Sequence, residues 1–429
     1  MFMEVESKKG NRYLFDALSN DIYSLDSTFH INESDTRDSL NLPHIQRRIG
    51  VDPLTHSKVK NSAKTLIIEL TEQCNLRCTY CVFDEAYSKE RSHSTKKIDI
   101  ELAKTRIKEF SYRATQDAYI IFYGGEPLLE FDSIVILTEY AKNIFGERVK
   151  FSFTTNGMAL THNKYEFLIN HDFLITVSLD GFKSNHDKSR LTIKGNPSWD
   201  RIMVNLEKLK EYDPKYYDNK VIFNNVINGI QDIPSIDEEF NDNPLLQGKT
   251  SRYSFILQNA IEENSTYNKF NDLNVNDIET FFLEKNLNNH PFYKDRLLPL
   301  VKKIAFREIG EKAQEGKKTC IPFVNRTYIR SNGDMQFCER ISSFNKVSNG
   351  QNLIIESQKI QKEFYKNKES TCSDCYAYNF CELCPASFYF EGKFNDRHID
   401  ICNNFRDEFL FALQLYLDLQ ENNVKLSEI

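Results

Sequence analysis

The chain has 429 residues, 40% hydrophobic and 27% charged, with a net charge of −7. That length holds two or three domains and a sizeable core. The acidic balance, with both signs interspersed, speaks against a broad basic surface for nucleic acid, and no apolar run is long enough to span a bilayer.

The opening residues, MFMEVESKKG, carry no apolar signal core, so a cytoplasmic location is expected. RYLFDAL and DIYSLD predict two short strands around a Ser19-Asn20 hairpin turn, within a small N-terminal unit over 1–64. From Thr65 to about Ala260 apolar runs recur: TLIIELT, AYIIFYG, VKFSFTT, FLITVSL, KVIFNNVI and RYSFILQ. Helix-compatible segments lie between most of them, at 98–115, 131–146, 161–171, 198–211 and 233–241. Continuous Ile/Val/Phe strands separated by amphipathic helices predict an α/β fold with a parallel sheet and helices outside. Six such units fall short of an eight-fold barrel, so a partial (β/α)6 TIM-like barrel is expected over 65–314. Helices are predicted at 275–287 and 291–314. A cysteine- and turn-rich segment, 315–429, then closes with a helix at 404–421.

The ten cysteines are clustered: Cys74, Cys78 and Cys81, then seven between Cys320 and Cys402. In a reducing compartment such clustering suggests metal rather than disulfides. IELTEQCNLRCTYC places the first three immediately after a predicted strand, where α/β barrels carry their chemistry. Three thiolates suit a four-iron cubane whose fourth iron stays open to a ligand. A closed zinc site wants four ligands, and no further Cys or His comes before His93.

Other short motifs follow in order. FYGGEP (Gly124, Gly125, Glu126, Pro127), TTNG (Thr154 to Gly157) and SLDG (Ser178 to Gly181) end successive strands, and HDKSRLTIKGNPSWD comes next. Together with the cysteines they resemble the radical S-adenosylmethionine superfamily. The resemblance implies that Cys74, Cys78 and Cys81 hold the catalytic cluster and that the open iron chelates S-adenosylmethionine. It implies that Gly124, Gly125, Glu126 and Pro127 contact the methionine amino group. Tyr80, Thr154, Asn156, Ser178 and Asp180 join the cofactor-binding set, and Arg190 pairs with the methionine carboxylate.

The second cysteine group is Cys320, twelve residues, Gly333, four residues, Cys338, then Cys372, Cys375, Cys381, Cys384 and a distant Cys402. It resembles the SPASM domain, an extension of radical enzymes that commonly modify peptides. One departure stands out: only Glu382 and Leu383 separate Cys381 from Cys384, where the family has three residues. TYIRSNGDMQFCER predicts a hairpin turning at Asn332-Gly333. The family's interleaved ligation assigns Cys372, Cys375, Cys381 and Cys402 to an outer auxiliary cluster. Cys320, Cys338 and Cys384 fall to an inner one, giving three [4Fe–4S] clusters in all. The inner cluster then lacks a fourth cysteine, and no thiol is left as a hydrogen donor of the kind peptide epimerases need. Zinc binding by the C-x2-C pairs stays open at this stage.

The function implied is reductive cleavage of S-adenosylmethionine and installation of a thioether crosslink in a ribosomally synthesised precursor peptide. An electron donor such as flavodoxin or ferredoxin would serve it, with no nucleic acid or membrane partner. Residues 1–64 resemble a leader-recognition extension that captures peptide by strand addition; a hairpin packed on the barrel is the plainer alternative. A carbon–carbon crosslinking maturase, a sulfatase-maturase-like peptide oxidase and a non-catalytic electron-transfer or zinc module also remain.

Overall fold

Each of the six apolar runs from Thr65 onward contributes a strand to the computed structural model. It describes residues 2–28, 36–40, 42–45, 63–81, 83, 92–114, 117–227, 232–255, 290–310, 323–336, 338–339, 353–383, 385–390, 393–394 and 399–428. The chain groups into two interleaved units, one of residues 1–53, 266–319 and 360–429, the other of 54–265 and 320–359. This division by contact is a different one from the consecutive functional segments 1–64, 65–314 and 315–429 expected above. Periodicity locates strands and helices, whereas grouping depends on which apolar faces meet across long sequence separations.

In the first unit the N-terminus forms an antiparallel sheet of β1 (Phe2–Glu6), β2 (Arg12–Asp16) and β3 (Ile22–Leu25), in that order. The expected hairpin is present, with Asn20 at φ 60 in its turn, a conformation Asn tolerates. Strand β1 was not anticipated and pairs along all of β2. Phe15 on β2 is buried, its ring 5.5 Å from Phe409 and 6.2 Å from Phe380. The N-terminal sheet is thus built into this unit by its own apolar face.

The second unit is organised by a mostly parallel sheet. Its strands are β4 (Thr65–Thr71), β6 (Ala118–Gly124), β7 (Val149–Thr155), β8 (Leu174–Ser178), β10 (Val221–Ile227), β11 (Ser251–Phe255), β12 (Arg326–Ile329) and β13 (Met335–Gln336). Their order is β11-β10-β8-β7-β6-β4-β12-β13, with only β13 antiparallel. A separate ribbon pairs β5 (Leu76–Cys78) with β9 (Arg190–Thr192). The Asn332-Gly333 hairpin forms, closed by Gly333 N–H to the Arg330 carbonyl at 2.8 Å. Its first strand nevertheless belongs to the main sheet, parallel to β4 with Tyr328 beside Ile67. A buried strand such as β4 needs both edges hydrogen-bonded, and RTYI supplies the partner.

Among the described residues seven helices accompany these strands: α1 (Ile100–Ser111), α2 (Phe131–Phe145), α3 (Tyr165–Asn170), α4 (Lys183–Ser189), α5 (Trp199–Tyr212), α6 (Pro214–Lys220) and α7 (Ile233–Asp242). Asp99 starts α1 by accepting from Leu102 N–H at 2.8 Å. Helices α4 and α6 are too short for a periodic pattern to reveal. One sheet face is aromatic: Phe122 lies beside Phe153 in register, and Phe173 stacks on Phe151 at 5.3 Å. The opposite face is polar at its C-terminal end, where Glu69 lies beside Tyr123 and Thr154 beside Thr176.

The first unit continues with α8 (Leu298–Ala305), the ribbon β14 (Tyr389–Phe390) and β15 (Lys393–Phe394), and α10 (Ile399–Glu421). Between α8 and β14, α9 (Leu353–Ser373) ends in it, a helix within a stretch read as turn-rich. Helix α10 starts five residues earlier than expected and α8 ends at Ala305, while 275–287 lies outside the described residues. No described helix is long and apolar enough to cross a membrane.

Candidate active site

Cys74 follows β4 directly, Cys78 ends β5, and Cys81 closes the turn through its N–H to the Cys78 carbonyl at 3.1 Å. The three thiols share one electrostatic environment, since Cys78 and Cys81 both bear on Cys74. Each sulfur also accepts a donor. Leu76 N–H reaches Cys74 Sγ at 3.4 Å and Asn156 Nδ2 reaches it at 3.6 Å. Phe83 N–H reaches Cys81 Sγ at 3.4 Å, and Arg190 Nη1 stands 3.9 Å from Cys78 Sγ. Burial, with Glu126 adding to it, pushes the Cys74 thiol up to about 12. Burial pushes Cys78 up to about 11 against the pull of Arg190. Bare thiols here hold their protons, while donors directed at each sulfur favour a thiolate once a cation is bound. Three soft thiol donors are the ligand chemistry an iron–sulfur cluster takes, although among the described residues no three of His, Cys, Asp or Glu are arranged to hold a metal ion as they stand.

The Gly124-Gly125 pair explains how β6 reaches this loop. Gly125 N–H donates to the Thr71 carbonyl and Glu126 N–H to the Gln73 carbonyl, both at 2.9 Å. A Cβ on either glycine would collide with that backbone, and Gly124 has φ +138. Close approach is indeed the reason for glycine, and the neighbour approached is the cysteine loop itself. Glu126 is fully buried and caps the turn opened by Pro127. Its carboxylate accepts from Leu128 N–H at 3.0 Å, Thr155 Oγ1 at 2.8 Å and Asn156 N–H at 2.8 Å. Burial raises its pKa and these bonds oppose the rise. Glu126 thereby joins the ends of β6 and β7 and aims Asn156 at Cys74.

Opposite the cysteines, Asp180 collects three groups. Tyr80 donates its hydroxyl to Oδ2, Arg190 Nε forms an ion pair with Oδ2 at 2.9 Å, and Val226 N–H donates to Oδ1 at 3.2 Å. The guanidinium also stands 5.3 Å from the Tyr80 ring centroid. Although burial works against it, the charge of Asp180 raises the Arg190 pKa further. Pairing of Cys78 with Arg190 across the β5–β9 ribbon holds this group against the cysteine loop. Thr154 and Ser178 are half-buried at the ends of β7 and β8. All thirteen residues assigned to this site thus lie in one unit, at the C-terminal ends of parallel strands, in the loops that follow them and on the β5–β9 ribbon beside them.

The comparison with known proteins agrees with this geometry. Residues 68–232 match the Radical SAM superfamily model. The chain carries a radical SAM domain. A cysteine-type anaerobic sulfatase-maturating enzyme of Clostridium novyi is 32% identical over 158 residues, 36% of this chain and 42% of that protein. The radical SAM cyclopropyl synthase TigE of Paramaledivibacter caminithermalis is 25% identical over 194 residues, 43% of this chain and 38% of that protein. The aligned stretch therefore spans under half of either relative. In fold, the chain resembles native anSMEcpe with bound AdoMet (TM-score 0.62, 18% identity, 83% of this chain and 99% of that one). It also resembles Streptococcus suis SuiB bound to precursor peptide SuiA (TM-score 0.52, 14% identity, 92% and 99%).

Beyond the radical SAM domain, four of the later cysteines that the structure describes lie in the first unit. Cys372 is in the last turn of α9 and Cys402 in the first of α10. Burial pushes Cys402 up to about 11, and Cys381 and Cys372 contribute to the rise. Arg406 bonds to Cys375 and also feels Cys402. Cys372 and Cys381 thus lie near enough to Cys402 to act on its charge, and Arg406 links Cys375 with Cys402, although no group of three or more His, Cys, Asp or Glu among the described residues is arranged as a metal site. In the second unit Cys338 follows β13, its thiol 3.2 Å from Glu339 Oε2. Cys320 and Cys384 lie outside the described residues.

Several supports of the radical SAM site carried no signal of their own in the sequence. Glu72, two residues before Cys74, accepts from Ser94 Oγ at 2.6 Å and Arg330 Nη2 at 3.0 Å. Asn205 donates to the Gly157 carbonyl at 2.9 Å, and Asn225 accepts from Gly181 N–H at 2.6 Å. Each is far in sequence from what it holds, and a lone polar residue on a helix or strand looks like any solvated one.

Proposed function

We propose that this chain is a radical SAM peptide maturase that installs a thioether crosslink in a ribosomally synthesised precursor peptide. The observation that carries the radical chemistry is the loop of Cys74, Cys78 and Cys81, three neighbouring thiols each facing a donor, at the C-terminal ends of parallel strands. When bound there, a [4Fe–4S] cluster supplies the electron that splits S-adenosylmethionine into methionine and a deoxyadenosyl radical. The chain's own residues bind and orient. Gly124 to Pro127 shape the wall beside the methionine amino group, and Asn156, Thr154 and Ser178 offer polar contacts. Arg190, held at Nε by Asp180 and with Nη1 beside Cys78, keeps Nη2 for the carboxylate.

The peptide substrate is supported by what the relatives' names record: sulfatase maturation, precursor peptide SuiA on SuiB, and the Cp18Cys peptide on anSMEcpe. A SPASM-type domain is supported by cysteine order, by the action of Cys372 and Cys381 on Cys402, and by Arg406 between Cys375 and Cys402. The thioether reading comes from the count of ten cysteines. Three at the radical site and four in the outer set leave three, one short of a closed cluster, so that a substrate thiolate can complete it. The open ends of the N-terminal sheet suit a leader peptide added as a further strand.

A second reading has its own support, the similarity to a cysteine-type sulfatase-maturating enzyme. A peptide oxidase leaves its substrate without a crosslink, whereas a thioether joins two of its residues. Anaerobic turnover followed by tandem mass spectrometry of the peptide separates the two. The radical claim itself is tested with Cys74, Cys78 and Cys81 replaced by alanine. Deoxyadenosine formation is expected to disappear, and undiminished formation overturns the proposal.

A further inference from the structure

His186 is fully buried on α4, four residues before Arg190, and nothing in the site's chemistry described so far uses it. Both of its ring nitrogens are engaged. The Asp180 backbone N–H can only donate, and it does so to Nδ1 at 3.3 Å. The ring proton therefore sits on Nε2 and is donated to Ser198 Oγ at 2.9 Å. Ser198 in turn donates its hydroxyl to the Arg190 carbonyl at 2.6 Å. Asp187 fixes Ser198 by accepting from the N–H groups of Ser198 at 3.1 Å and Trp199 at 3.0 Å.

The relay closes on itself. It starts at the backbone of Asp180 and ends at the backbone of Arg190, and the side chains of those two residues form the ion pair beside Cys78 and Tyr80. We propose that His186 is a positioning residue for the S-adenosylmethionine pocket, holding the end of β8 and the start of β9 at the spacing that locks the Asp180–Arg190 pair. The proposal rests on the radical SAM reading of the site. An apolar ring of similar size would fill the same volume but leave the Asp180 N–H and the Ser198 hydroxyl without their partner. Small displacements at such a site cost far more in function than in stability. The neutral ring required by the relay is the form that burial and the nearby Arg190 favour.

The test uses the full chain, anaerobically reconstituted, as wild type, H186F, S198A and H186Q. Three quantities are read: iron content, the dissociation constant for S-adenosylmethionine, and the change that S-adenosylmethionine causes in the paramagnetic resonance spectrum of the reduced cluster. H186F and S198A are expected to keep their iron, to bind at least tenfold more weakly and to lose most of the spectral change. H186Q, whose amide can reach Ser198, is expected to recover a substantial part of both. Wild-type affinity and spectrum in H186F, with only a lower melting temperature, overturn the positioning role. If H186F loses its iron, S198A decides by the same two readouts. A wild-type protein with no spectral response to S-adenosylmethionine would instead overturn the function proposed above.

Discussion

A buried histidine that both accepts and donates cannot be protonated without breaking one of its bonds. His186 illustrates the consequence for stability. Its pKa is lowered from 6.5 to about 3, by burial first and by Arg190 second. Because the folded value lies below the unfolded one, its contribution is complete above pH 6.5 and is lost as pH falls from 6.5 towards 3. Between pH 8 and pH 5.5 the loss amounts to about 1.4 kcal/mol. Urea midpoints at the two pH values should show that slope in the wild type, and H186Q should flatten it by about that amount. An unchanged slope in H186Q would assign the acid sensitivity to other groups. At this scale the sequence exposed the candidate cysteines through their spacing and Glu126 through its short motif. It could not expose His186 or Asn205, whose meaning lies in backbone atoms brought to them by folding.

At the scale of elements, the aromatic face of the sheet and the edge of the N-terminal sheet invite separate measurements. Phe173 is fully buried, with the rings of Phe151 at 5.3 Å, Phe153 at 5.7 Å and Phe122 at 6.1 Å. F173A is expected to cost about 3–5 kcal/mol, read from denaturant unfolding. A loss below about 1 kcal/mol would mean that the neighbouring rings close the cavity. Among the described residues, strand β3 is an edge strand paired with β2 alone. Asp16 N–H bonds to the Asp21 carbonyl, so by the alternation of an antiparallel ladder the Ser24–Tyr13 pair is not hydrogen-bonded and Ser24 N–H faces outward. S24P removes that donor while sparing the β2–β3 ladder. If leader peptide adds to this edge, the variant should lose peptide processing and keep uncoupled cleavage of S-adenosylmethionine. Normal processing would move the leader elsewhere. Deleting 1–60 would be a poorer experiment, because Phe15 belongs to a buried aromatic cluster with Phe380 and Phe409.

For the whole molecule the decisive measurement is metal content. With the radical-site cysteines replaced by alanine, two auxiliary cubanes should still give about eight irons per chain. Roughly one zinc with little iron would instead assign the C-terminal thiols to a structural zinc site. The grouping of Cys372, Cys381 and Cys402 favours a site that includes α9 and α10, so the same variant should lose further iron when C402A is added.

Six of the seven parallel strands of the main sheet, most of the helices between them and the cysteine loop at the end of β4 were all determined locally. Their signals are apolar runs, helical periodicity and residue spacing, each contained within a few turns of chain. Only the tertiary structure decided that β12, some 250 residues further on, pairs with β4. The same is true of Phe15 meeting Phe409, and of Glu72 being held by Arg330. Such contacts depend on which buried edges and apolar faces remain unsatisfied once the local elements have formed, and no short stretch of sequence carries that information.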